Sequence, residues 1–464
     1  MVAPRPFHAP ESSESFRDLG LPPTLCDALA SDGITDAFPI QAATLSDART
    51  GRDVLGRGRT GSGKTLAFVL PVLCRLDELP SERVPKQPRA LILAPTRELV
   101  RQIAAATDPL AATLGMRVTT VFGGVPAGPQ ISALRRGVDI VVACPGRLED
   151  LMGSGHVRLD GVQITVLDEA DHMADLGFLP SVTRLLRATP ARGQRLLFSA
   201  TLDGDVDKIV TRFLNDPVTH SVDDATSAVD TMDHHVFHVT SNDRLGVLVE
   251  LTSAPGRTMV FARTKHRARQ LTRQLNTAGV AAVEMHGNLT QGARVRNLEA
   301  FTSGRASTMV ATDIAARGIH VDGIERVVHA DPPIEHKAYL HRSGRTARAG
   351  ASGIVVTLAT EDQRAAVKKL GRRAGINPTV TTLRAGHPLL DELAPGERVL
   401  LSAEELRIAL ETRSPRQDGT NRSGAGARQG TSRPGSKNRS RRRHANQSPA
   451  ATANRTRRPA RRSR

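Results

Sequence analysis

The stretch "QITVLDEAD" at residues 163–171 decides how the rest of the chain is read. Its apolar and β-branched run, Ile164 to Leu167, leads straight into three carboxylates, Asp168, Glu169 and Asp171. A short run of this kind reads as a strand buried on both faces. Acids launched from the end of such a strand need a cation, because burying an uncompensated carboxylate is costly. An acidic first helical turn, favoured by the helix dipole, accounts for Asp171 alone. It does not account for the pair before it.

Similar runs lie on either side: "ALILAP" (90–95), "VTTVFGG" (118–124), "DIVVACP" (139–145) and "RLLFSAT" (195–201). Continuous apolar strands alternating with helical patterns imply a parallel sheet covered on both faces. The rhythm stops in "NDPVTHSVDDATSAVDTMD" (215–233) and restarts with "HVFHVT" (235–240), "TMVFART" (258–264), "AAVEMHG" (281–287), "STMVATD" (307–313), "ERVVHAD" (325–331) and "GIVVTLA" (353–359). The fold class is therefore α/β, with two tandem parallel-sheet domains. The expected boundaries are an extension at 1–15, a first domain at 16–217, a linker at 218–234 and a second domain at 235–385. A short helical extension follows at 386–412, in which "SAEELRIAL" (402–410) offers Ser402 as N-cap and Glu405 three residues on.

The formal net charge of +17 invites a nucleic-acid partner, so its location matters. Residues 413–464 hold 16 Lys/Arg and one acid, which leaves the body before them at only +2. This tail is Arg, Ser, Gly, Pro, Asn and Thr with almost no large apolar residue, and it is expected to be disordered. Without interleaved aromatics it suits phosphate contact rather than base stacking. The three cysteines, Cys26, Cys74 and Cys144, lack zinc-type spacing and read as reduced thiols. No run approaches 18 apolar residues and the first residues carry no apolar core, so membrane insertion and export are not indicated. A cytoplasmic protein is expected.

The partner of the acids stands about one hundred residues earlier. "GRGRTGSGKT" (56–65) contains Gly58-x4-Gly63-Lys64-Thr65, a complete phosphate-binding loop between the strand-like "DVLG" and the helix-like "LAFVLPVL". Backbone N–H groups from Thr60 to Gly63 would converge on phosphate oxygens at a helix N-terminus. Lys64 supplies a cation for the terminal phosphates, and the Thr65 hydroxyl suits Mg²⁺. Asp168 would hold the same ion, with Glu169 orienting and deprotonating the attacking water. The first domain hydrolyses a nucleotide.

At "LDEAD" the chain resembles the DEAD-box ATP-dependent RNA helicases of bacterial type, from about Phe16 to about Val380. The motifs stand in family order: "PTREL" (95–99), "GG" (123–124), "PGR" (145–147), "SAT" (199–201), "VFARTK" (260–265), "HGNLTQGAR" (286–294), "ATDIAARG" (311–318) and "HRSGRTARAG" (341–350). The resemblance implies RecA-like domains and a glutamine-bearing segment (16–41) that selects ATP. In it Gln41 would pair with adenine, and Phe16, seventeen residues before Gly33, would stack on the base. Asp313 would also contact the nucleotide. Arg345 and Arg348, three apart, present guanidinium groups suited to a transferring γ-phosphoryl group. Pro95, Thr96, Arg97, Gly124, Gly146 and Arg147, then Arg263, Gly287, Arg294 and Thr312, would follow an RNA backbone without reading its sequence. Ser199, Thr201, Asp171 and His341 would couple hydrolysis to strand separation.

The resemblance implies RNA-stimulated ATP hydrolysis coupled to local, non-processive unwinding of short RNA duplexes or to remodelling of RNA–protein complexes. A non-unwinding ATP-dependent clamp or an annealing protein acting through the tail are the alternatives. Ribosomal precursors and RNA-decay proteins are both compatible partners. Four departures stand out: His320 replaces the usual Asp that contacts ribose, Cys144 a threonine, Ala37-Phe38 a Pro-Thr pair, and Asn288 an Asp. None touches the phosphate loop, the acids or the arginines, so the site reads as active.

Overall fold

The computed structural model describes residues 14–411, apart from 59–60, 80–81, 203, 223–231, 317–318, 320, 322 and 348–351. Thr60, His320, Arg348 and the basic tail thus lie outside the described residues.

Seven strands build the first sheet: β1 (Val54–Arg57), β2 (Ala90–Leu93), β3 (Val118–Val121), β4 (Ile140–Ala143), β5 (Ile164–Asp168), β6 (Gln194–Ser199) and β7 (Val218–Ser221). All pair in parallel in the order β3-β4-β2-β5-β6-β1-β7. Side chains alternate between faces along each strand. In β2 this sends Ala90 and Ile92 into one apolar layer and Leu91 and Leu93 into the other. Helices cover both layers, which is why the strands read as continuous apolar runs. Each fully buried aliphatic or phenyl side chain contributes about 1.5–3 kcal/mol relative to exposure. Across β1 and β6, a Cβ at Gly56 would collide with the Phe198 ring, itself packed 5.4 Å from Phe68.

The second sheet contains β8 (Met232–His238), β9 (Arg257–Phe261), β10 (Ala282–Met285), β11 (Thr308–Ala311), β12 (Ile324–His329), β13 (Gly353–Ala359) and β14 (Thr379–Thr382). Its order, β10-β11-β9-β12-β13-β8-β14, repeats the first sheet strand for strand.

Two boundaries move. The segment expected as a linker from residue 218 opens with β7, whose Val218–Ser221 pair with Val54–Arg57 at the sheet edge. Its polar alternation hid it, because an edge strand needs no continuous apolar run. The second domain likewise begins at Met232, where β8 pairs with β13. The extension after residue 385 is part of the second lobe: Leu390, Leu393 and Ala394 join its apolar layer. Ser402 caps the helix Ala403–Glu411 as expected, accepting from the Glu405 N–H at 3.3 Å while Glu405 accepts from the Ser402 N–H at 2.8 Å.

Candidate nucleotide and RNA site

β1 delivers the chain into the phosphate loop. Gly61 and Gly63 take φ of 92° and 88°, left-handed values that side chains disfavour. Gly63 then caps the helix Lys64–Glu78, anchored by buried Phe68, Val69, Leu70 and Leu73. A Cβ at Gly58 would lie 2.8 Å from Ser62 Oγ, so the cradle is closed to side chains. Lys64 is buried, and its Nζ donates to the Gly58 carbonyl at 2.5 Å. Thr65, one residue on, is half-buried.

Gln41 is built into the loop's foundation. Its Oε1 accepts the Phe38 N–H at 2.8 Å, and its Nε2 donates to the Gly63 carbonyl at 2.9 Å. The amide therefore fixes the glutamine segment to the N-cap of the phosphate-loop helix. The expectation for Phe16 needs correction. The side chain is 2% exposed inside the first-lobe core, so its ring offers no free face for a base. The spacing located the residue but not the direction of its side chain. Phe38 instead lies half-buried against Gly63.

The acids stand where β5 ends, between β2 and β6. Glu169 occupies the left-handed region at φ 50°, ψ 53°, so the strand turns sharply into the helix Ala170–Asp175. The Glu169 N–H donates to Asp168 Oδ1 at 3.0 Å. Asp168 is 3% exposed; burial, with the Glu169 charge beside it, pushes its carboxyl up to about 7, against the pull of Lys64. His172 Nδ1 lies 3.0 Å from Glu169 Oε2. Asp171 turns toward β6 instead. Its Oδ2 accepts from the Thr201 N–H at 3.0 Å and hydroxyl at 3.1 Å, while its own N–H donates to Ser199 Oγ at 3.2 Å. Ser199 Oγ donates in turn to the Thr201 carbonyl at 2.7 Å.

In the second lobe, Asp313 is gripped by Arg342, Nε to Oδ1 at 2.5 Å and Nη2 to Oδ2 at 2.7 Å. The same guanidinium donates to the Asp331 carbonyl at 2.8 Å and lies 5.2 Å from the Phe261 ring centre. Both Asp313 oxygens thus hold an arginine, a use the sequence reading did not assign. Arg345 is 4% exposed and donates to the Ile319 carbonyl at 2.9 Å. His341 is half-buried on the helix His336–Ser343.

Pro95 and Thr96 precede the helix Arg97–Thr113, and Thr96 Oγ1 caps it by accepting the Leu99 N–H at 3.2 Å. Gly124, at φ 76°, lies under the Arg97 guanidinium, where a Cβ would collide. Arg147 donates to the Val125 carbonyl at 3.3 Å, which gathers Arg97, Gly124 and Arg147 on one ridge. Gly146 and Gly287 have open space at the Cβ position. The exposed Arg263 donates its N–H to Asp331 Oδ2 at 2.9 Å, and the Thr312 N–H donates to the Met285 carbonyl at 3.1 Å.

Arg294 is directed elsewhere than expected. Its Nε meets Glu98 Oε1 of the first lobe at 2.8 Å, Gln291 Nε2 donates to the same oxygen at 3.2 Å, and Arg97 Nη1 donates to Gln291 Oε1 at 3.2 Å. Burial raises the Glu98 carboxyl, but the Arg294 hydrogen bond and charge outweigh it and leave the group below its ordinary value. A buried carboxylate needs such a partner, and Arg294 supplies it from the other lobe. Glu98, Gln291, Arg342 and His172 contact the expected site residues, and sequence reasoning passed over them. The spacing of Gln291 and Arg294, three apart on one helix, was the available signal.

Two family models match this chain: the DEAD/DEAH box helicase over residues 38–209 and the helicase conserved C-terminal domain over residues 242–350. The ATP-dependent RNA helicase RhlB of Pseudomonas syringae pv. tomato is 40% identical over 387 residues, 81% of this chain and 98% of that protein. The chain belongs to the DEAD-box ATP-dependent RNA helicases. Among solved structures, S. cerevisiae Dbp5 bound to RNA and ADP BeF3 superposes with a TM-score of 0.73 at 26% identity, covering 82% of this chain and 99% of that one. Mss116p bound to ssRNA and AMP-PNP gives a TM-score of 0.71 at 25% identity, with 84% of each chain covered. The helicase is thus an ATP-hydrolysing enzyme with two tandem RecA-like lobes.

Proposed function

We propose that this helicase couples RNA-stimulated ATP hydrolysis to local, non-processive opening of short RNA duplexes. What supports the coupling is the Asp171–Ser199–Thr201 hydrogen-bond set, which joins the acids at the end of β5 to the end of β6.

The glycine cradle and buried Lys64 suit the phosphates of ATP, and Gln41 holds the loop that receives them. Thr65 and Asp168 fit Mg²⁺, since a buried carboxyl that burial drives toward protonation gains most from a cation. The ion would neutralise phosphate charge. Glu169 acts as the base for the attacking water. Arg345 of the other lobe, now held on the Ile319 carbonyl, and Arg348, outside the described residues, would stabilise the charge of the transferring group once the lobes close, which makes hydrolysis depend on closure. Pro95, Thr96, Arg97, Gly124, Gly146 and Arg147 position one strand by its backbone, and Arg263, Gly287 and Thr312 continue the path, while Arg294 joins the lobes through Glu98. Closure bends that strand away from A-form geometry. Stacking is worth on the order of 1–2 kcal/mol per step, by analogy with DNA, so one closure opens a few pairs and no more.

The Arg-rich tail, outside the described residues, tethers RNA without sequence preference. Among the described residues no helix is long and apolar enough to cross a membrane. The deciding test is ATPase activity with and without RNA, and release of a short duplex, for the wild type and Glu169→Gln. RNA should stimulate the wild type and Glu169→Gln should lower turnover ~10²–10⁴-fold to a residual rate; wild-type hydrolysis by the variant would refute the assignment.

A further inference from the structure

We propose that His172 is a positioning residue for the hydrolytic step, holding the Glu169 carboxylate in its working orientation. The inference rests on the reading of Glu169 as the base.

The contact is close and dry. Nδ1 of His172 lies 3.0 Å from Glu169 Oε2, with side-chain exposures of 5% and 11%. An ionised carboxylate only accepts hydrogen bonds, so Nδ1 of a neutral ring carries the proton and donates it. Nε2 is then a lone-pair acceptor, and among the described residues it is buried without a hydrogen-bond partner. A buried polar atom left unsatisfied costs stability. A histidine present for packing alone would be expected to satisfy both nitrogens or be replaced by an apolar residue. Here one nitrogen stays unsatisfied while the other serves a proposed catalytic group.

The backbone adds a second observation. Glu169 is one of the few non-glycine residues at positive φ, at the corner between β5 and its helix. Left-handed backbone at a non-glycine residue is uncommon, and it gathers where a side chain must be aimed. The corner sets the direction in which the Glu169 side chain leaves the backbone but does not by itself set its three side-chain torsions. His172, three residues on and on the same helical face, removes that freedom by fixing one oxygen. Misplacing a catalytic group by about 1 Å can cost ~10²-fold in rate, so this restraint belongs to the chemical step rather than to ATP binding.

The experiment is steady-state ATPase at saturating RNA, with thermal unfolding followed on the same samples. His172→Ala should lower kcat ~10-fold and leave the KM for ATP within ~2-fold. His172→Asn, which keeps an N–H where Nδ1 stood, should recover most of that loss. In a Glu169→Gln background, adding His172→Ala should change the residual rate less than ~2-fold, because the two residues act as a unit. If His172→Ala does not fold, His172→Phe preserves volume without the donor and takes its place. Wild-type kcat in the donorless variant, equal loss in His172→Asn, or additive effects with Glu169→Gln would each overturn the proposal. Full activity of Glu169→Gln would bring down the assignment of the base itself, whereas an inactive Glu169→Gln beside a fully active His172→Ala removes only the positioning role.

Discussion

The two lobes share one strand order and differ in what they place at the strand ends. In the first, the strand paired beside β6 runs into Gly63 and Lys64; in the second, its counterpart β8 runs toward Asn242 and Asp243. A cation thus opens one helix and an acid opens the other. Asp243 is engaged locally, accepting from the Thr240 hydroxyl at 2.7 Å. The crevice there is about 660 Å³ and is lined by Glu361, Asp362, Arg364 and Arg384 as well, a mixed set of charges without the glycine cradle of the first lobe. Two strands along the sheet, β5 ends in Asp168, whereas β12 ends in the buried, neutral His329. On the function proposed above, the same topology makes a nucleotide site in one copy and an arginine-bearing partner in the other. Chemistry resides in the loops after the strands.

The sharpest way to break this contrast is to exchange its defining residues. Lys64→Ala should lower ATP turnover ~10²–10³-fold, the scale of losing one preorganised electrostatic contact, while Asp243→Ala stays within ~2-fold of wild type. A large loss from Asp243→Ala would mean that the second crevice takes part in hydrolysis. Next in size is the joint inside the first lobe. Ser199→Ala/Thr201→Ala should keep RNA-dependent ATPase within ~3-fold and lose most duplex release, because an interaction removed from coupling need not affect the chemical step. Equal loss of both activities would contradict the division between Glu169 and Asp171.

A smaller effect is expected across the lobes. Glu98→Ala and Arg294→Ala should each lower RNA-stimulated ATPase ~10-fold, and together they should do little more, since contacting partners couple by ~0.5–3 kcal/mol. Strict additivity would show that the pair does not act as one contact.

The smallest effect concerns pH, and here the lobes should respond in opposite directions. Burial, reinforced by the His235 charge, lowers His234 to about 4, and burial with Arg342 holds His329 well below its ordinary value. Between pH 6.5 and 4 the unfolded chain binds those protons and the folded lobe does not. Second-lobe stability should therefore fall as pH drops through that window, by ~1.4 kcal/mol per unit for each histidine. Asp168, raised to about 7, has the reverse sign: its contribution is present at low pH and lost as pH rises toward 7. Hydrogen exchange resolved by lobe, in metal-free buffer at pH 7 and 5.5, should show protection falling in the second lobe and holding or rising in the first. Parallel loss in both would refute the assignment.

Much of this contrast was legible in the sequence. Continuous apolar runs such as "ALIL" and "IVVA" fixed the central strands, because burial on both faces leaves no polar alternation. The phosphate loop and the Asp168–Glu169 pair were legible from residue type and spacing. β7 was not, since half of an edge strand faces water. Nor was the burial of Phe16, because spacing along a chain does not say which way a ring points. The partners of Arg294 and Asp313 were equally hidden. Each depends on a residue brought close by folding, Glu98 from about two hundred positions away and Arg342 from the next helix but one strand.

The placement of β7 has a consequence for timing. The chain leaves the first sheet hydrogen-bonded beside β1, with the Val222 N–H donating to the Arg57 carbonyl at 3.4 Å, and re-enters the second at Met232. Ten residue steps reach at most about 35 Å when fully stretched. A leash this short keeps each lobe at an effective concentration on the order of millimolar around the other. Reunion after release is then never a search through bulk solvent.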